Sequence, residues 1–109
     1  MVPWRFRGLD TVPLPGGRAL VARTLRSRLL GLALLDEVPG DLGLLIPRCG
    51  AVHTFGMRFA IDIAFLDARG RVIDTLFAVP PQRFVGRRGA RAVLERPAAQ
   101  VEPTSPASR

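Results

Sequence analysis

The sequence predicts a small, mainly β domain of the α+β class: an antiparallel sheet carrying one short helix. Three observations lead there. From Ala60 to Val79 apolar and polar side chains alternate about a turn, as paired half-buried strands require. Leu25, Leu29 and Leu32 instead recur at i, i+4 and i+7, a stripe that a helix gathers on one face. The 109 residues, 48% of them apolar, suffice for one modest core and leave no room for a second domain.

Each element has its own signal. Residues 1–17 carry Pro3, Pro13, Pro15 and Gly16-Gly17, and are expected to form an N-terminal arm ending in a turn. A short strand follows at Arg18–Arg23. Thr24 is an N-cap for a helix at about Thr24–Leu35, with Arg26 and Arg28 off the leucine stripe. Gly31 costs that helix about 1 kcal/mol relative to alanine, tolerable where another backbone packs closely. Pro39 and Gly40 end it.

Gly43–Ile46 is too short for a helix and reads as a buried strand. In the strand Ala60–Leu66, Ile61, Ile63 and Phe65 share one face, and Asp62, Ala64 and Leu66 the other. Asp67-Ala-Arg-Gly70 is a turn, with Gly70 supplying the positive φ that such a hairpin needs. Arg71–Val79 returns and is broken by Pro80-Pro81. Ala90–Glu95 is the last strand of a domain placed at residues 18–96. Residues 97–109 are Pro-, Ser- and Ala-rich with little to bury, and are expected to be a disordered tail.

Taken in order, Arg28-Leu-Leu-Gly-Leu32, Gly43-Leu-Leu-Ile46, His53-Thr54, Ile61-Asp-Ile-Ala-Phe-Leu-Asp67 and Val93-Leu-Glu95 form a series. Over about residues 18–95 it resembles the bacterial and archaeal family catalogued as domain of unknown function 192 (DUF192). Arg28, Gly31, Leu32, Asp67, Gly70 and Glu95 are the motif-matching positions, read as structural. Many members place Trp-Met-Lys-Asn-Thr where this chain has His53-Thr-Phe-Gly-Met57, so the His-Thr form looks like a subgroup. The resemblance implies a compact, partly barrel-like β domain with a short helix, and no known catalytic residue, substrate or cofactor. Members usually add a glycine-containing turn and a final strand after the Leu-Glu strand. Here Arg96-Pro97 begins the tail instead, so the partly open, barrel-like sheet either closes differently or leaves one edge open. An unpaired edge is a natural docking site.

The net charge of +7 comes entirely from arginine, with no lysine in the chain. Those arginines are spread along the sequence, Arg87, Arg88 and Arg91 being the one short cluster, and tyrosine is absent. Codon bias explains this better than nucleic-acid binding, which would require Arg83, Arg87, Arg88 and Arg91 to share a face. Cys49 is the sole cysteine, which excludes an intrachain disulfide. Beside Arg48 and Gly50 it reads as a small buried hydrophobe rather than a reactive thiol. No paired metal-ligand spacing is present, so neither a metal nor a cofactor is expected. Met1-Val-Pro-Trp-Arg-Phe-Arg7 lacks a secretory h-region and no apolar run spans a bilayer, so a cytoplasmic protein without membrane insertion is expected.

His53 is the sole histidine and the one side chain whose ordinary pKa lies near neutrality. Gly56 marks a break that could turn His53, Thr54, Met57, Arg58 and Asp62 toward one cleft. The expected role is a non-enzymatic module binding a small molecule or a peptide strand. The alternatives are a small hydrolase or transferase using His53 and Asp62, and weak nucleic-acid binding through distributed arginines.

Overall fold

The computed structural model describes residues 9–14, 16–22 and 42–98. Eight strands lie in these segments: β1 Thr11–Leu14, β2 Gly17–Val21, β3 Leu42–Pro47, β4 Ala51–His53, β5 Ile61–Leu66, β6 Val72–Val79, β7 Phe84–Gly86 and β8 Ala92–Pro97. Six of them form one sheet in the order β1-β2-β3-β8-β5-β6, and β4 pairs with β7 separately. The fold is mainly β as predicted. The six-stranded sheet does not close into a barrel; β1 and β6 are its two edges among the described residues. The helix expected at Thr24–Leu35 and most of the expected tail lie outside the described residues.

One pairing departs from the antiparallel expectation. β2 runs parallel to β3, with Arg18 to Val21 opposite Leu42 to Leu45. A hairpin cannot join parallel neighbours, so a crossover of a dozen or more residues must connect them, and the chain between Val21 and Leu42 has that length. β1 falls inside the segment read as an arm and forms a hairpin with β2, turning at Gly16 where φ is +79°. Pro13 is tolerated there because β1 is an edge strand.

The core follows from the alternation. Ile61, Ile63 and Phe65 are fully buried while their neighbours Asp62, Ala64 and Leu66 are half-buried on the other face. Burying a side chain such as Phe65 stabilises by about 1.5–3 kcal/mol. One row of opposed residues crosses the whole sheet: Thr11, Leu20, Leu44, Glu95, Ile63 and Leu76. The β4–β7 pair covers the core, with Val52 inside it and Val85, its partner across the ladder, packed against it.

The β5–β6 hairpin turns as predicted. The Asp67 carboxylate accepts the N–H groups of Arg69 and Arg71 at 2.8 and 2.9 Å, and Gly70 sits at φ +81°. Two register shifts follow, one between Phe65 and Leu66 and one between Ile61 and Ile63. Both place an extra residue on β6. At the second, Ala78 has φ +52°, and its N–H is taken by the Asp62 carboxylate at 2.8 Å instead of by the ladder.

Candidate functional site

The five residues expected to line a cleft fall into two groups. Thr54 is fully buried and acts as a staple: its hydroxyl donates to Pro80 O at 2.7 Å and accepts from Arg83 N at 2.8 Å. Its backbone N–H donates to Arg83 O, and its carbonyl accepts from Met57 and Gln82. Met57 belongs to the core, and Arg58 is exposed. His53 is half-buried on β4 opposite Phe84, with Phe55 stacked obliquely 5.8 Å away. Its Nδ1 accepts the Phe55 N–H at 3.2 Å.

Asp62 lies elsewhere. It is tied to Ala78 across the β5–β6 ladder, and no hydrogen bond among the described residues joins it to His53. The structure therefore brings His53 together with Phe55 and Phe84, and Asp62 together with β6 and β8.

Around Asp62, the sheet face opposite the core holds an open concavity of about 160 Å³. It is lined by Asp62, Ala64, Thr75, Phe77, Leu94 and Arg96. The ladder explains the grouping, since Asp62 opposes Arg96 while Ala64 opposes both Leu94 and Thr75. Ala64 makes the floor low and the longer side chains make the walls. Gly43 on the next strand contributes by its bareness: a Cβ there would lie 3.1 Å from Arg96 Cγ and 3.2 Å from Leu94 Cδ1. The Arg96 guanidinium has no ion pair among the described residues.

β6 borders this concavity and is an outer strand of the sheet among the described residues. Its bulges turn apolar side chains to solvent, leaving Phe77 75%, Val72 59% and Ile73 43% exposed. Sequence reasoning did not single out Phe77, Thr75, Leu94 or Arg96. The period-two face shared by Asp62, Ala64 and Leu66 was the available signal, but the partners on β6 and β8 needed the register.

Two charged groups depart from ordinary behaviour. Arg87 bonds Asp74 through Nε at 2.6 Å, and that hydrogen bond holds the Asp74 carboxyl below the usual carboxylate range. Arg87 also lies 5.3 Å from the centre of the Phe65 ring and donates to Gly86 O, so it is committed within the fold. Glu95 is 2% exposed, and burial pushes its carboxyl up to about 7. Its Oε1 has no hydrogen-bond partner among the described residues.

The sequence model of DUF192, described as "Uncharacterized ACR", matches residues 15–105. The chain belongs to the DUF192 family. A UPF0127 protein of Thermococcus sibiricus is 33% identical over 90 residues, a match covering 79% of this chain and 58% of that protein. The chain thus spans less than two thirds of that relative. A crystal structure of a protein of unknown function from Novosphingobium aromaticivorans matches with TM-score 0.65 at 23% identity, covering 81% of this chain and 71% of the other. A provisionally assigned transcription regulator from Sinorhizobium meliloti matches with TM-score 0.68 at 19% identity, covering 75% and 69%. These two likenesses establish a shared fold. Of the positions read from sequence as motif-matching, Asp67 and Gly70 lie in the β5–β6 turn and Glu95 is buried. Among the described residues no helix is long and apolar enough to cross a membrane.

Proposed function

We propose that this DUF192 domain is a non-enzymatic, cytoplasmic binding module that takes an extended acidic peptide segment along β6, an edge of the sheet among the described residues. The observation that carries the reading is an eight-residue strand showing Phe77, Ile73 and Val72 to solvent beside a concavity whose Arg96 guanidinium has no ion pair among the described residues. Strand addition draws affinity from main-chain hydrogen bonds and specificity from pockets for alternate side chains. The stretch Asp74–Leu76 lies between the two bulges and offers the regular edge. Phe77 and Arg96 offer an apolar and a cationic contact at its end.

Charge selects the occupant. With a net +7, a second copy of the chain would be repelled, whereas an acidic strand is attracted. The acid–base alternative needs His53 and Asp62 within reach of each other, yet each is occupied by a backbone N–H on a different strand pair. The nucleic-acid alternative loses Arg87 to Asp74.

The test uses two labelled extended peptides, one alternating Val and Glu and one alternating Val and Lys, followed by fluorescence polarisation against the full chain. The acidic peptide should bind at least about tenfold more tightly, and Phe77→Ala and Arg96→Gln should each weaken it. Equal affinity for both peptides, or no binding of either, would sink the proposal.

A further inference from the structure

The direction of the backbone groups along β5 fixes what β6 can offer at its outer side. Leu66 O accepts from Arg91 N–H and Ala60 O accepts from Ala98 N–H, both at the ends of β8. Backbone groups alternate in direction along a strand, so Ile63 and Phe65 turn theirs to β6, where Leu76 and Asp74 oppose them. Thr75, between those two, therefore directs its N–H and C=O away from β5. It is the one residue of the regular stretch Asp74–Leu76 to do so. That N–H is already taken: it donates to Asp74 Oδ1 at 2.9 Å. The other oxygen of the same carboxylate accepts from Arg87 Nε at 2.6 Å.

One side chain thus occupies both kinds of group that an acidic strand uses, an edge donor and a cation. We propose that Asp74 is an internal placeholder for the acidic segment. On binding, a main-chain carbonyl of the segment takes the Thr75 N–H and one of its carboxylates takes Arg87. Resting on the β6 reading, this assignment names the guanidinium that recognises the acid and the contact that holds the edge closed until the acid arrives.

Arg87 is suited to the exchange. Its Nη1 donates to Gly86 O at 2.8 Å and its guanidinium carbon lies 5.3 Å from the centre of the Phe65 ring. Those contacts keep it in place when Asp74 leaves, so the incoming carboxylate meets a cation already oriented. The pair is also reachable, with the Arg87 and Asp74 side chains 37% and 44% exposed. Register adds a pattern. A residue opposite Thr75 on an added strand shares the concavity face with it, and the two flanking residues point to the other face, beside Asp74 and Arg87. The acidic residue is therefore one of those two flanking positions. The Arg87 and Thr75 hydrogen bonds hold the Asp74 carboxyl below the usual carboxylate range, so it is ionised at neutral pH and yields to displacement rather than to protonation.

A placeholder seated about nine-tenths of the time lowers the apparent affinity about tenfold. The test pairs amide hydrogen exchange of the free chain with fluorescence polarisation against the alternating Val-Glu peptide. Asp74→Ala should speed exchange of the Thr75 amide at least about tenfold and tighten the peptide by about tenfold. Asp74→Asn, which keeps an acceptor for Thr75 and loses the ion pair, should fall between. Asp67→Asn removes one charge from the turn of the same hairpin and touches neither Thr75 nor Arg87, so it should change affinity by less than about twofold. In the Asp74→Ala chain, Arg87→Gln should remove most of the gain. An unchanged Thr75 exchange rate, no tightening by Asp74→Ala, or no effect of Arg87→Gln in that chain would overturn the placeholder while wild-type binding leaves the β6 reading standing. Equal tightening by Asp67→Asn would overturn it as diffuse attraction. No peptide binding by the wild type or by Asp74→Ala would sink the β6 reading and the placeholder with it, whatever the Thr75 amide does.

Discussion

Replacing Glu95 by glutamine should stabilise the protein above neutral pH and do little to it in acid. Glu95 lies at the centre of the core row, between Leu44 on β3 and Ile63 on β5, with Val93 two residues away on the same face. No cation is paired with it among the described residues, and burial raises its carboxyl from 4.5 to about 7. A folded-state pKa above the unfolded one means that the unfolded chain gives up its proton first. Stability is then highest below about pH 4, falls as pH rises between about 4.5 and 7, and levels off above. The full fall amounts to roughly 3 kcal/mol, since each pKa unit is worth about 1.4 kcal/mol. Glutamine has nearly the same shape and no charge to lose. Urea unfolding of the wild type and Glu95→Gln at several pH values, compared as a difference, removes the contribution of Asp74. That carboxyl is depressed in the fold, so its stabilisation is lost as pH falls. Glutamine should match the wild type near pH 4 and exceed it by roughly 3 kcal/mol near pH 8. A variant less stable than the wild type at pH 8 would mean that Glu95 is ionised and compensated in the fold, and would refute this reasoning.

Thr54→Val keeps the shape of the staple and removes its hydroxyl, stranding Pro80 O and Arg83 N. It should cost about 1–3 kcal/mol by urea unfolding, and a change within about 0.5 kcal/mol would show that water replaces the hydroxyl freely. Asp62→Ala should cost about 1–3 kcal/mol by freeing the Ala78 N–H at the bulge, and Asp62→Asn less, because an amide oxygen can still accept. Equal losses from the two would indicate that the negative charge matters rather than the acceptor. Phe77→Ala should leave the thermal midpoint nearly unchanged, since the ring is mostly in solvent, and a loss above about 1 kcal/mol would show that it packs within the fold.

The elements read correctly from sequence are those whose pattern repeats. Ile61, Ile63 and Phe65 announce their face by alternation, and Asp67 with Gly70 announces the turn by chemistry. β1, β4 and β7 have three or four residues each, too few to show a period, and β1 also contains Pro13. The parallel pairing of β2 with β3 is a property of the connection between them, which hydropathy does not reveal. Glu95 was accessible in principle: its spacing from Val93 puts it on the buried face, although its charge argues for the surface. The candidate cleft was harder. Gly56 does turn the chain, at φ +80°, but it leaves Thr54 and Met57 facing the core while His53 stays at the surface. The bulges that expose Phe77 and Ile73 leave no signature in residues as ordinary as Ala78.

Amide hydrogen exchange of the full chain, with and without the alternating Val-Glu peptide, tests the peptide-binding reading most directly. Strand addition should slow exchange at the outward-facing amides of Val72–Phe77, with β1, the opposite edge, unaffected. Protection concentrated instead at His53, Phe55 and Phe84, or absent from β6 at saturating peptide, would contradict it.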